Sequence, residues 1–190
     1  MFDKKIHSAV MGGLAALILT ISGPVMAAFT AEDAASLKAE AIATLEKFKA
    51  ETKGVEGVFA DAKGVLVCPK ITKIGAVIGI EGGKCVLTVG DGEPIFYQTR
   101  GLKAGAIIGV QSHSMILVIN TDEALAKFTE GKREWELGVD ASVAVASLSA
   151  GGDIDTTNLK KAIVAFIFGE KGLMADLSFE GSSFKKLDVE

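Results

Sequence analysis

The chain has 190 residues, of which 49% are hydrophobic and 23% charged; that composition excludes a disordered chain and is enough to bury one sizeable core. The formal net charge of −4 excludes a generally basic molecule, so no nucleic acid partner is expected and any anion must bind at a local patch. Two cysteines and two histidines, one of them in the N-terminal segment, are too few for a zinc site of the usual kind, and no metal or other cofactor is expected.

Residues 1–27 read as a signal peptide. Lys4 and Lys5 give a positive start, the apolar stretch 9–21 (AVMGGLAALILTI) follows, and Val25-Met26-Ala27 offers small residues for cleavage after Ala27. The apolar run falls short of the roughly 20 residues that a membrane-spanning helix needs. Export to the periplasm is therefore expected, with residues 28–190 forming a single domain that can associate peripherally with a membrane.

Thr30 opens TAEDAASLKAEAIATLEKFKAETKG, with Asp33 three residues on as in a capping box and Gly54 as the stop. Ala34, Leu37, Ala41, Leu45 and Phe48 recur every three to four residues, which predicts an amphipathic helix lying as a lid on the rest of the fold. From Val58 the period changes to two. GVLVC runs up to Pro69, and KIGAVIGIEGGKCVLTVG reads as two strands turning at Gly82-Gly83. EPIFYQT is a strand, and GLKAGAIIGVQSHSMILVIN reads as a pair turning near 111–113. Thr121 then caps a short helix, TDEALAKFTEG, ending at Gly131. LGVDASVAVASL is a strand and GGDIDTTNL a loop. AIVAFIF and GLMADLSFE form a hairpin joined by GEKG, with Leu173, Leu177 and Phe179 inward, and SSFKKL adds a last strand. About eight to ten short strands joined by tight turns imply antiparallel neighbours. Glycines at 75, 79, 101, 105 and 109 inside strands call for sharp bending or close backbone approach. The fold class is α+β: a strongly curved or barrel-like antiparallel sheet with a covering N-terminal helix and one short inserted helix.

Chemistry is sparse along this chain. Ser112 and Ser114 flank His113, but neighbours on a strand point to opposite faces, and no G-x-S-x-G elbow occurs. The DIDTTN stretch lacks the sixth-position glycine and the twelfth-position Glu of a calcium loop. No enzyme is expected. Cys68 and Cys85 lie in strand-like runs, either as a structural disulfide or as two buried thiols. One basic cluster remains, Lys63, Lys70 and Lys73 with Arg100 and Lys103, as a candidate site for an anionic head group; its plainer reading is a lysine-guarded strand edge.

AKGVLVCPKITKIGAVIGIEGGKCVL, LKAGAIIGVQSHSMILVINTDEALAKF, ELGVDASVAVAS, DIDTTNL and AIVAFIFGEKGLMADLSFEGSSFKKL together resemble successive blocks of the SYLF domain family, over residues 37–187. The resemblance implies noncatalytic binding of anionic phospholipid at a membrane surface. In the family some fungal members also bind actin, with help from segments that this chain lacks, so actin is not an expected partner here. The family commonly carries an aromatic where Cys68 stands, and that departure makes Cys85 a candidate for a bridge particular to this chain. The runner-up reading is a structural or partner-binding envelope protein without a lipid ligand.

Overall fold

A computed structural model describes residues 28–55, 57–76, 78–104, 109–130, 134–136, 143–146, 159–169, 172–173 and 182–190. The expected leader, the loop at 151–158, the end of the second helix at Gly131 and the inward set Leu177 and Phe179 lie outside them. The elements in chain order are α1 (Ala31–Glu51), β1 (Gly64–Gly75), β2 (Ile78–Thr88), β3 (Ile95–Ala104), β4 (Gly109–Ile119), α2 (Asp122–Thr129), β5 (Trp135–Glu136), β6 (Val143–Val145), β7 (Ile163–Gly169), β8 (Gly172–Leu173) and β9 (Ser182–Leu187).

The period-two run from Gly64 becomes one sheet, ordered β5-β9-β3-β2-β1-β4-β7-β6, with β8 paired to β7 outside that path. All pairs are antiparallel except β6 with β7. The sheet curls into a half-barrel, so the expected mixed fold with a strongly curved sheet and two helices is what the chain adopts.

Both faces of the sheet are covered, and strand alternation divides the core accordingly. Thr30 caps α1 through the expected box: the Asp33 N–H donates to Thr30 Oγ1 at 3.2 Å, and the Thr30 N–H donates to Asp33 Oδ2 at 3.0 Å. Ala34, Leu37, Ala41 and Phe48 of α1 are buried against Val67, Val86, Phe96, Ile116, Val164 and Phe166. Leu45, predicted for the same stripe, is half-buried there. The other face carries α2, whose Ala124 and Phe128 meet Leu66, Leu87, Leu117, Trp135 and Phe184. Cys68 and Cys85 are joined in a disulfide on that second face, their Cα atoms 4.1 Å apart across β1 and β2, and both are fully buried.

Two turns sit elsewhere than the sequence suggests. Gly82-Gly83 lies in the middle of β2 and pairs on both sides, while β1 turns into β2 around 75–78, where Gly75 faces Gly79. A Cβ on Gly75 would lie 2.4 Å from the Gly79 Cα and 2.6 Å from the Ile78 carbonyl oxygen, so the hairpin closes only because residue 75 is glycine. Residues 111–113 likewise run inside β4 rather than turning.

The extra residue at Pro69 shapes everything near it. Val67 faces Val86 but Lys70 faces Lys84, and Cys68 faces Met115 but Ile71 faces His113, so three residues of β1 stand against two on each neighbour. Such a bulge is where a central strand can hold a proline, which has no N–H for the ladder. The Ser114 hydroxyl donates to the Pro69 carbonyl at 2.6 Å and Ser112 to the Ile71 carbonyl at 3.4 Å. The two serines beside His113 thus serve the bulge, while His113 itself is buried among the residues of the other face.

Candidate functional site

After the bulge, β1 presents Lys70, Thr72 and Ile74 on the face that carries α1, and cross-strand register extends each into a row. The first row is Lys70, Lys84, Gln98 and Lys185 across β1, β2, β3 and β9. The next is Ser112, Thr72, Gly82, Arg100, Ser183 and Glu136. The third is Val110, Ile74, Ile80 and Leu102. With rows two residues apart, each step along the strands is about 7 Å.

The helix covers only one end of this face. Val67, Val86 and Phe96 lie beneath α1, whereas Ile74, Ile80, Leu102, Val110 and the neighbouring Ile78 are 50 to 72% exposed. Monomeric proteins seldom leave a contiguous aliphatic strip of that kind in water unless it meets a partner or a membrane. Isolated apolar residues on a surface are unremarkable; this one spans four paired strands.

Between the covered and exposed apolar ends lie the cations. Lys70, Lys84, Lys185 and Arg100 are all exposed. Lys84 rests its ammonium 4.7 Å from the ring centroid of Phe29, and the Arg100 guanidinium donates to Gln98 Oε1 at 2.8 Å. Acid from α1 stands close by: Asp33 and Glu40 share a shallow depression with Lys70 and Lys84. The Asp33 carboxyl is held below the usual carboxylate range, chiefly by the hydrogen bond from the Thr30 backbone and less by the charge of Lys84.

The five basic residues singled out from the sequence do not form one cluster. Lys70 and Arg100 share the α1 face, on adjacent rows. Lys73 lies opposite Glu81 and points to the other face, because the bulge shifts β1 by one residue. Lys63 precedes β1 at its far end and sits 3.8 Å from Asp122 of α2, an exposed pair of little energetic weight. Lys103 lies opposite Gly79, and its side chain is outside the described residues. Sequence reasoning missed Lys84 and Lys185, which only the register of β2 and β9 brings beside Lys70, and it missed the aliphatic row.

Among the described residues no helix is long and apolar enough to cross a membrane. No curated protein matches the chain. Residues 100–188 match the family model described as "Ysc84: Las17-binding protein actin regulator", a stretch that begins halfway along β3 and leaves out α1, β1 and β2. The stretch running from within β3 to the end of β9 is therefore similar to the Ysc84 family, in keeping with the resemblance of the sequence blocks to the SYLF domain.

Proposed function

We propose that this chain is a noncatalytic, exported protein that binds the surface of a membrane containing anionic phospholipid, in the periplasm. The observation that carries this reading is the exposed row Val110, Ile74, Ile80 and Leu102 with cations arranged behind it. A peripheral element buries its apolar side roughly 5–10 Å into the head-group boundary. With the aliphatic row at that depth, Arg100 stands about 7 Å higher and the Lys70, Lys84 and Lys185 row about 13 Å higher, at the level of phosphates and their surroundings. Each such cation near an anionic surface is worth around 1 kcal/mol. The description of the matched family names Las17 and actin; an exported chain would meet neither, and the reading leaves them out.

Vesicle flotation tests the proposal. Binding is expected to rise when phosphatidylglycerol is added to phosphatidylcholine vesicles and to weaken as salt is added. The double change Lys70→Glu with Lys84→Glu is expected to lower binding at least tenfold, whereas Lys63→Glu leaves it unchanged. Equal recovery with and without phosphatidylglycerol would remove the anionic claim. No recovery with any vesicle would favour a partner-binding envelope protein instead.

A further inference from the structure

On the α1 face, in the part that the helix leaves open, the aliphatic row borders a groove of about 760 Å³. Ile80 and Leu102 form its apolar floor, and Arg100, Ser183, Glu134 and Glu136 stand along its β3–β9–β5 side. Arg100 faces Ser183, and Ser183 faces Glu136, so the guanidinium and that carboxylate come from strands separated by one other, with backbones roughly 10 Å apart. The Ser183 hydroxyl donates to the Glu134 carboxylate, which fixes that side chain on the same rim. A positive group thus faces the Glu134 and Glu136 carboxylates across a short polar gap, beside an apolar strip, while the third carboxylate of the lining, Glu81, accepts from the Ser182 hydroxyl.

Few ligands suit that pattern. A phosphate alone would meet Arg100 but be repelled by two carboxylates, and an amine alone would meet the reverse. A head group that carries both charges in sequence matches the alternation. We propose that the groove holds a phospholipid whose phosphodiester is linked by two carbons to a primary ammonium, the phosphate on Arg100 and the ammonium on Glu134 and Glu136, with acyl chains leaving over Ile80 and Leu102. A carboxylate has about four acceptor sites, so the bond from Ser183 leaves Glu134 room to accept from an ammonium. The ammonium is primary because a quaternary one is recognised through aromatic faces, and among the described residues no aromatic side chain lines the groove. This inference rests on the membrane reading and adds a lipid selectivity to it; the lysine row answers to the net charge of the surface, the groove to one head group.

Two vesicle series with the same fraction of phosphatidylglycerol, one completed with phosphatidylethanolamine and the other with phosphatidylcholine, test the assignment. The full chain is expected to bind the first about tenfold more tightly, the yield of a charge-assisted hydrogen bond or two. Glu134→Gln with Glu136→Gln should erase that preference and keep the dependence on phosphatidylglycerol, with far-ultraviolet circular dichroism confirming the fold. Equal binding to both series overturns the inference and leaves the membrane reading standing. A preference that survives the double change belongs to the packing of the bilayer and overturns it as well. Loss of binding to every vesicle defeats both. If soluble glycerophosphoethanolamine competes as well as the lipid does, the groove serves a free head group and the lipid assignment is wrong.

Discussion

Tyr97 is the single tyrosine of the chain, and its ring packs against Phe128 at 4.9 Å between centroids on the α2 face. Among the described residues its buried hydroxyl has no hydrogen-bond partner, and neither do Thr99 Oγ1 and the Trp135 indole N–H. Burial pushes the Tyr97 phenol from an ordinary 10.0 up to about 12. Ionisation is thus easier in the unfolded chain than in the folded one. Between pH 10 and 12 the unfolded state sheds its proton first, and the stability that is complete below pH 10 falls progressively through this group as the pH rises towards 12. Tyr97→Phe is expected to remove that part of the alkaline loss while being neutral or slightly stabilising at pH 7, since it deletes an unpaired hydroxyl. Chemical denaturation of both proteins at pH 7 and pH 11 checks it. An identical alkaline loss in the two would show that another group carries it. Nothing in the sequence marks Tyr97 as buried this way; FYQT only says that one of each adjacent pair faces in.

At the scale of elements, much was legible. The helix α1, its Thr30 cap and its buried stripe follow from periodicity and local chemistry, because a helix satisfies its backbone within itself. Strands need partners, and the errors fall there. Gly82-Gly83 has the composition of a hairpin turn, but Gly83 is glycine for another reason: a Cβ there would lie 2.5 Å from the Lys70 carbonyl oxygen and 3.2 Å from the Ile71 Cα. Gly83 accommodates the bulge on β1, and sequence alone cannot tell a turning glycine from a yielding one. The same bulge undid the basic cluster, because strict alternation along β1 would group Lys63 with Lys73 and separate Lys70 from Val67. Gly83→Ala should therefore cost about 1–3 kcal/mol through overpacking against backbone that cannot swing aside, whereas Gly82→Ala, whose Cβ would meet only the Thr99 carbonyl at an ordinary 3.5 Å, should cost less. Urea denaturation of the two variants compares them; equal midpoints would mean that the bulge relaxes freely.

The whole molecule adds what no element contains. A chain of net charge −4 holds a lysine row between two apolar ends of one face, one end under α1 and the other open. The family blocks and the mixed fold were legible in the sequence; this ordering of rows was not, since it needs the register of β9 against β3 and of β4 against β1. For the proposed membrane binding it implies two separable contributions. Charge attraction decays with salt over a Debye length of about 8 Å at physiological ionic strength, whereas burial of aliphatic side chains does not. Fully burying one such side chain is worth about 1.5–3 kcal/mol, and Ile80 and Leu102 are 62 and 71% exposed, so they retain most of that to gain. Ile80→Ser with Leu102→Ser is expected to lower vesicle partitioning by one to two orders of magnitude at any salt concentration. The salt slope should stay as it was, because no cation is touched. The pair Lys70→Glu and Lys84→Glu should do the opposite, flattening the slope and leaving the residue of binding that persists at high salt. If the serine pair changes the slope, or leaves high-salt binding intact, the exposed row does not enter the membrane, and its exposure belongs to contact with another protein.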